Sequence, residues 1–269
     1  MVVFPPCKIN LGLHILQKRA DGYHDLETCF YPVPWTDILE IIPSRELSFT
    51  STGNAIPGSA LDNLCLRAYA LLKADFGLEP VAIHLHKLIP TGAGLGGGSS
   101  DAAYTLRLLN EIFQLKITQE KMVEYAAQLG SDCAFFIQDK PMMGSGRGEI
   151  LSATEVNLSG KFLVLVKPDI HVSTAEAYAG IFPKKPAFSL TEILIEKNLL
   201  SWKECLKNDF EDSVFFNFPM LRSIKEKLYS LGALYASMSG SGSSVFGIFE
   251  NECDLKPEFN NVSFWSGKL

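Results

Sequence analysis

The segment Pro90-Thr91-Gly92-Ala93-Gly94-Leu95-Gly96-Gly97-Gly98-Ser99-Ser100 restricts this chain more than any other, because five glycines fall within residues 92–98. Glycine enters positive φ without penalty and lets another group approach the backbone closely. Before the loop, Val81-Ala82-Ile83-His84-Leu85 alternates, which puts Val81, Ile83 and Leu85 on one face of a strand that Pro90 ends. After it, Ala102, Ala103, Leu106, Leu109 and Phe113 form the apolar stripe of a helix, with Ser99 or Ser100 placed to cap it. A flexible linker seldom lies between such a strand and such a helix. Glycine backbone and helix N-terminus together offer unpaired N–H groups and partial positive charge, the requirements of a phosphate site.

Two familiar phosphate loops do not fit. Gly92-x-Gly94-x-x-Gly97 satisfies the dinucleotide fingerprint as a string. That fold needs an acidic residue at a strand end about 20 residues further on, where Ile117 to Lys121 reads as loop and helix. The P-loop fails too, since no Gly-Lys-Ser/Thr follows the glycines.

The chain has 269 residues, enough for two modest domains or one large one. Hydrophobic residues make up 47% and charged residues 20%, a composition that folds throughout. A net charge of -6 without any Lys/Arg block argues against a nucleic-acid partner. Cys7, Cys29, Cys65, Cys133, Cys205 and Cys253 are scattered without a C-x-x-C pair, which favours reduced, buried thiols over a zinc or redox site. With neither a targeting segment nor an apolar run long enough to span a bilayer, a soluble cytoplasmic protein with no membrane partner is expected.

Further strands are expected over Lys8 to Leu16, Ile38 to Ile42, Cys133 to Ile137, Phe162 to Val166 and Val245 to Phe249. Helices are expected over Asn63 to Phe76, Gln119 to Leu129, Thr191 to Leu199 and Pro219 to Leu231, with Gly77 and Gly130 as stops. Asp132 would then sit at a helix-to-strand junction. A polar stretch from Ser152 to Lys161 suggests a domain boundary near residue 157.

Three separated motifs carry a family resemblance. Pro90 to Ala103 resembles the nucleotide loop of the GHMP kinases, Pro6-Cys7-Lys8-Ile9-Asn10-Leu11 their first motif, and Ser237 to Phe246 their glycine- and serine-rich third motif. Arg19-Ala20-Asp21-Gly22-Tyr23-His24 resembles the signature of one branch, whose substrate is a cytidine diphosphate-linked sugar alcohol. Asp62-Asn63-Leu64, Leu129 to Cys133 and Asn208-Asp209-Phe210-Glu211 match that branch as well. The resemblance implies an α+β fold of two domains, 1–156 and 157–269, with the active site in the cleft between them. It also implies ATP and Mg2+ as cofactors and phosphoryl transfer to a substrate hydroxyl.

Phosphoryl transfer asks a protein to position groups and neutralise charge more than to form bonds. By resemblance, Asp132 accepts the hydroxyl proton, and Lys8 balances charge near the transferred group. Residues 94–100 wrap the α- and β-phosphates with one serine near Mg2+, Ser239 to Ser244 braces the loop or lines the substrate pocket, and Asn63 approaches the adenine. Tyr23 stacks on the cytosine and His24 hydrogen-bonds its edge. Asn10 binds the sugar alcohol or stabilises the loop around it, Thr174 does likewise, and Tyr178 supplies a second stacking face.

Two departures stand out. Cys7 replaces the commonest Ala of the first motif, placing a modifiable thiol beside Lys8, and Asp101 replaces a common Asn, placing a carboxylate near the phosphates. His84 and His86 read as a solvated strand face, and Gly144 to Gly148 as a flexible stretch. Rival readings are a GHMP kinase of another small alcohol, such as homoserine or mevalonate, and a silent nucleotide-binding regulator. Retention of Lys8 and Asp132 speaks against the regulator.

Overall fold

The structure is a computed structural model that describes residues 1–59, 62–184, 186, 188–196 and 198–269. Five strands, β1 (Val2–Val3), β2 (Pro6–Lys18), β3 (His24–Thr36), β4 (Ile38–Pro43) and β5 (Ser48–Gly53), precede α1 (Leu64–Phe76). Then come β6 (Val81–Lys87), α2 (Gly97–Ile112), α3 (Gln119–Leu129), α4 (Cys133–Gln138), β7 (Met142–Ser145), β8 (Ile150–Ala153) and β9 (Phe162–Pro168). The remainder is α5 (Thr174–Ala179), α6 (Leu190–Glu196), α7 (Trp202–Cys205), α8 (Phe210–Asn217), α9 (Pro219–Ser230), β10 (Tyr235–Met238), β11 (Val245–Phe249) and β12 (Val262–Lys268). The class is α+β, and among the described residues no helix is long and apolar enough to cross a membrane.

The chain forms two compact units, each discontinuous in sequence. The first comprises residues 1–8, 35–91 and 96–140, and the second residues 9–34, 92–95 and 141–269. The polar stretch near residue 157 lies inside the second unit. The chain passes between units at residues 8/9 and 34/35, within β2 and β3, where strand continuation leaves no compositional mark.

In the first unit a sheet of order β1-β4-β6-β5 is covered by helices. Alternation sets its register: Ile41 faces Ile83 and Leu39 faces Leu85, all buried, while His84 and His86 on the other side of β6 are half-buried and share hydrogen bonds with Thr52 Oγ1. Leu106 and Leu109 of α2 and Ala68 and Leu72 of α1 are buried in the same unit. Burying each Leu contributes about 1.5–3 kcal/mol. Asn63 caps α1 by accepting the Cys65 N–H at 2.9 Å, and Gly77 ends it in the left-handed region at φ 65°.

Two expectations here need correction. Cys133–Gln138 is a helix, not a strand, because a short apolar run has no period that separates the two, and all-round burial beside α2 and α3 satisfies either. Helix α2 starts at Gly97 with Gly96 as N-cap and no side-chain cap, so Ser99 and Ser100 lie within its first turn rather than capping it.

The second unit contains two sheets, β10-β11-β9-β12 and β2-β3-β7-β8. Antiparallel register sets Phe246 and Trp265 on either side of Leu165. A continuous core joins Leu13, Ile15 and Leu26 to Val164, Val166, Phe210, Leu221 and Val245. The Gly144 to Gly148 stretch is the end of β7 and the turn of the β7–β8 hairpin, where the Gly148 N–H donates to the Ser145 carbonyl at 3.0 Å.

Candidate active site

In the first unit, Lys8 and Asp132 come together from distant points of the sequence. Lys8 Nζ lies 3.5 Å from Asp132 Oδ2. Lys8 is buried on β2, while Asp132 stands at the start of α4, so the junction is helix to helix. The Asp132 carboxylate makes no capping bond; Ser131 Oγ lies 3.5 Å from its Oδ1. Gly96 makes room for this pair. Its φ is 69°, and a Cβ there would meet Phe136 at 3.1 Å and Lys8 Cε at 3.2 Å. The lysine stem therefore lies against the N-terminal end of α2, where unpaired N–H groups favour an anion.

The Ser100 hydroxyl is buried in that first turn without a hydrogen-bond partner, and Ser99 beside it is half-buried. A hydroxyl oxygen at this position, with the partly exposed Asp132 carboxylate in the same unit, suits Mg2+, which takes oxygen ligands, few of them from protein, when phosphates bind it too. Asn63 is half-buried and spends its Oδ1 on the α1 cap. Pro90 and Thr91 are half-buried, and the Thr91 hydroxyl lies 3.5 Å from the Ala55 carbonyl.

Asp101 is placed differently from expectation. It does not face the phosphate loop's anion side; it is buried and ion-paired with Lys87 Nζ at 2.6 Å. Lys87 also pairs with buried Asp37, which accepts the backbone N–H groups of Leu88 and Ile89 at 2.6 and 2.8 Å. Burial pushes the Asp101 carboxyl up to about 7, with Asp37 adding to the rise and Lys87 opposing it. A Cβ on Gly97 would meet Lys87 Nζ at 3.0 Å, so this Asp–Lys–Asp cluster underlies the start of α2. Sequence reading missed Asp37 and Lys87, and the only signal was a charge on an otherwise apolar strand face.

Cys7 also differs from expectation. It is fully buried, and desolvation raises its thiol above the ordinary cysteine range, so it is not a modifiable neighbour of Lys8.

In the second unit, Gly92-Ala93-Gly94-Leu95 packs on the third motif. The Ser239 hydroxyl donates to the Gly94 carbonyl at 2.9 Å, and the Ser244 N–H to the Ala93 carbonyl at 3.2 Å. Gly94 has φ 76°, and any Cβ there would land on the Ser239 carbonyl oxygen. His171, unmarked in the sequence, lies 3.2 Å from the Cβ position of Gly92. Asn10 is buried; its Nδ2 donates to Thr28 Oγ1 at 2.9 Å, and Ser239 Oγ approaches its Oδ1 at 3.5 Å.

The Arg19 to His24 motif is the connection between β2 and β3. Arg19 pairs with Asp21 at 3.0 Å and Asp25 at 2.9 Å, and Gly22 turns the chain at φ 86°. Tyr23 is left 56% exposed, enough ring face for a ligand, with the Arg147 guanidinium 4.9 Å from its centroid. His24 stacks on Tyr178 at 4.8 Å and 20°, and Phe210 meets Tyr178 edge-on at 4.8 Å. Thr174 is exposed in the first turn of α5, next to the capping residue Ser173.

Comparison with known proteins places this geometry. The pattern of the GHMP kinases N terminal domain matches residues 63–140, and that of the GHMP kinases C terminal matches residues 190–262. A Cytophaga hutchinsonii protein named 4-diphosphocytidyl-2-C-methyl-D-erythritol kinase is 54% identical over 259 residues, covering 96% of this chain and 94% of its own. A Bacteroides thetaiotaomicron protein of the same name is 52% identical over the whole of both chains. A crystal structure of 4-(cytidine 5'-diphospho)-2C-methyl-D-erythritol kinase matches with a TM-score of 0.82 and 30% identity, covering 99% of this chain and 98% of that one. The mevalonate kinase of Methanococcus jannaschii shares the fold, with a TM-score of 0.73 at 17% identity. With both halves matched and more than half its residues shared along its length with such a relative, the chain belongs to the GHMP kinase family.

Proposed function

We propose that this protein is the ATP-dependent kinase that phosphorylates the 2-hydroxyl of 4-diphosphocytidyl-2-C-methyl-D-erythritol, a step of the non-mevalonate route to isoprenoid precursors. The observation that carries the chemistry is the Lys8–Asp132 pair at 3.5 Å against the glycine-bordered start of α2. What supports the substrate is the name shared by relatives at 52–54% identity.

Asp132 accepts the proton of the attacking hydroxyl, as a positioned general base does. Lys8 stabilises the charge that spreads over the transferred group. Backbone N–H groups of residues 94–100 and the start of α2 hold the α- and β-phosphates, and Asn63 approaches the adenine. ATP supplies the phosphoryl group, and Ser99 or Ser100 would offer a hydroxyl oxygen to Mg2+, whose charge would offset that of the phosphates. Tyr23 and His24 read the cytosine, with Tyr178 behind His24 as a stacking support. Asn10 steadies the loop around the sugar alcohol, and Thr174 offers a hydroxyl to it. The domain reading 1–156 and 157–269 assigns Lys8, the glycine loop and Asp132 to the N-terminal part. A cytoplasmic location accords with a small soluble metabolite as substrate.

The test is phosphorylation by purified protein with ATP and Mg2+ across a panel of alcohols that includes the cytidyl substrate, homoserine and mevalonate. Transfer to the cytidyl substrate at its 2-hydroxyl is expected. Transfer to homoserine or mevalonate alone overturns the substrate, and ATP binding with no transfer to any of them overturns the activity.

A further inference from the structure

In the run Asn208-Asp209-Phe210-Glu211 only Phe210 reaches the site described above, through Tyr178, and the polar side chains on either side of it are engaged elsewhere. Asn208 is fully buried. Its Nδ2 donates to the carbonyls of Met238 and Gly240, both at 2.8 Å, and its Oδ1 accepts the Phe210 N–H at 3.0 Å. Asp209 accepts the Ile15 N–H at 2.8 Å, and Leu13 exchanges backbone bonds with Lys207 and Asp209, which anchors the run to β2. Glu211, also buried, accepts the Ser237 hydroxyl at 3.0 Å and the Met238 N–H at 2.9 Å through Oε1, and Lys225 Nζ at 2.6 Å through Oε2.

All the inward bonds of Asn208 and Glu211 except two converge on residues 237–240. Ser239 within this segment and Ser244 just after it hold the glycine loop. Ser239 Oγ donates to Gly94, Ser244 N–H donates to Ala93, and the Ser239 carbonyl packs where a Gly94 side chain would be. Two N–H groups of one rigid amide fix two carbonyls on either side of Ser239, so the position of its hydroxyl follows from Asn208.

We propose that Asn208 and Glu211 are positioning residues for nucleotide binding, acting through Ser239 on the Gly92–Leu95 backbone. The inference rests on the reading of that loop as the phosphate cradle. An Asp at 208 keeps the shape but turns a two-fold donor into an acceptor facing two carbonyls, a reversal that a well-packed core cannot relieve. Glu211→Gln keeps an oxygen for the Ser237 and Met238 donors, whereas Glu211→Ala removes the acceptor that both share and leaves the Ser237 hydroxyl only its longer contact with the Met238 carbonyl at 3.4 Å.

The experiment is calorimetric binding of ADP together with steady-state kinetics in ATP, using the full chain. Asn208→Asp and Glu211→Ala are each expected to raise the ADP Kd and the ATP KM about tenfold while kcat at saturating ATP stays within about threefold. Glu211→Gln is expected within about twofold of wild type. The Asn208→Asp effect on Kd should largely vanish in a Ser239→Ala background, because the two act through one contact. If Asn208→Asp does not fold, Asn208→Ser carries the same expectations. Wild-type ADP affinity in a folded position-208 variant overturns the inference, as does strict additivity with Ser239→Ala. Failure of the unaltered protein to bind ADP overturns the phosphate reading itself, and the inference with it.

Discussion

Lys8 Nζ stands 3.5 Å from Asp132 Oδ2, the ammonium buried and the carboxylate side chain 27% exposed. That asymmetry fits the proposed roles, an accessible carboxylate as base and a buried ammonium as a fixed charge beside it. Asp132→Asn is expected to lower kcat by about 10²–10⁴-fold, the usual contribution of a positioned base. Lys8→Met should cost about 10²–10³-fold in kcat through lost charge stabilisation, with a melting temperature equal to or above wild type, since a buried charge has been removed. Steady-state kinetics and thermal melts check both. Near-normal turnover in Asp132→Asn would remove it from the proton transfer.

The Asp37–Lys87–Asp101 cluster makes a prediction about stability that is independent of catalysis. Asp101 is raised from an ordinary carboxyl value of 3.8 to about 7 in the fold, chiefly by burial. Below about pH 4 both folded and unfolded chains hold its proton. Between about pH 4 and 7 the unfolded chain loses the proton and the folded chain keeps it, so stability falls as pH rises across that window and is level above it. Asp101→Asn abolishes this component. Urea unfolding at pH 5 and pH 8 should show the variant gaining on the wild type at the higher pH. Cys65 and the two cluster partners are the other titratable groups acting on or with Asp101, and the substitution leaves all of them in place. An equal gap at both pH values would contradict the assignment.

Gly94 and Gly160 both have positive φ, but only one is crowded. Around Gly160 (φ 83°) nothing lies within 4 Å of a Cβ, whereas at Gly94 the Ser239 backbone occupies the space. Gly160→Ala should therefore cost about 1–2 kcal/mol of stability from backbone conformation alone and leave the ATP KM unchanged. Gly94→Ala must move the Ser239 turn, and an ATP KM raised at least about tenfold is expected. Denaturant melts paired with kinetics separate the two.

Thiol labelling of the native protein should be confined to two cysteines. Cys7, Cys29, Cys65 and Cys133 are buried, and desolvation pushes the thiols of Cys29, Cys65 and Cys133 up to about 12 and that of Cys7 further. Cys205 and Cys253 are only partly buried. Iodoacetamide followed by peptide mapping is expected to modify Cys205 and Cys253 alone until denaturant is added. Early modification of Cys7 would contradict its burial.

How far the residues alone carried the reading depended on the kind of signal. Val81, Ile83 and Leu85 alternate on a one-sided sheet, and Asn63 and Gly77 bracket α1, so period and caps were visible. Cys133 to Ile137 had no period to offer, and its helix follows from packing against α2 and α3. Lys8 and Asp132 were legible through motif resemblance, and their 3.5 Å approach adds the geometry that resemblance lacked. Asp101 was legible as an unusual residue but not in its direction, because its partners are Asp37, between β3 and β4, and Lys87, at the end of β6, which only the folded sheet brings to it. Asn208 matched a pattern, but its work lies in two carbonyls thirty residues downstream that only folding brings near.

The interleaving of the two units limits how this gene can be recombined. A fragment of residues 157–269 would lack β2, β3, β7 and β8, all four strands of one sheet, and would leave Val164, Phe210 and Val245 without Leu13, Ile15 and Leu26 to cover them. A crossover at the composition break between diverged relatives would therefore mate mismatched core surfaces. Functional chimeras of this chain need the segments 9–34 and 92–95 exchanged along with residues 141–269, as one inherited block in three pieces.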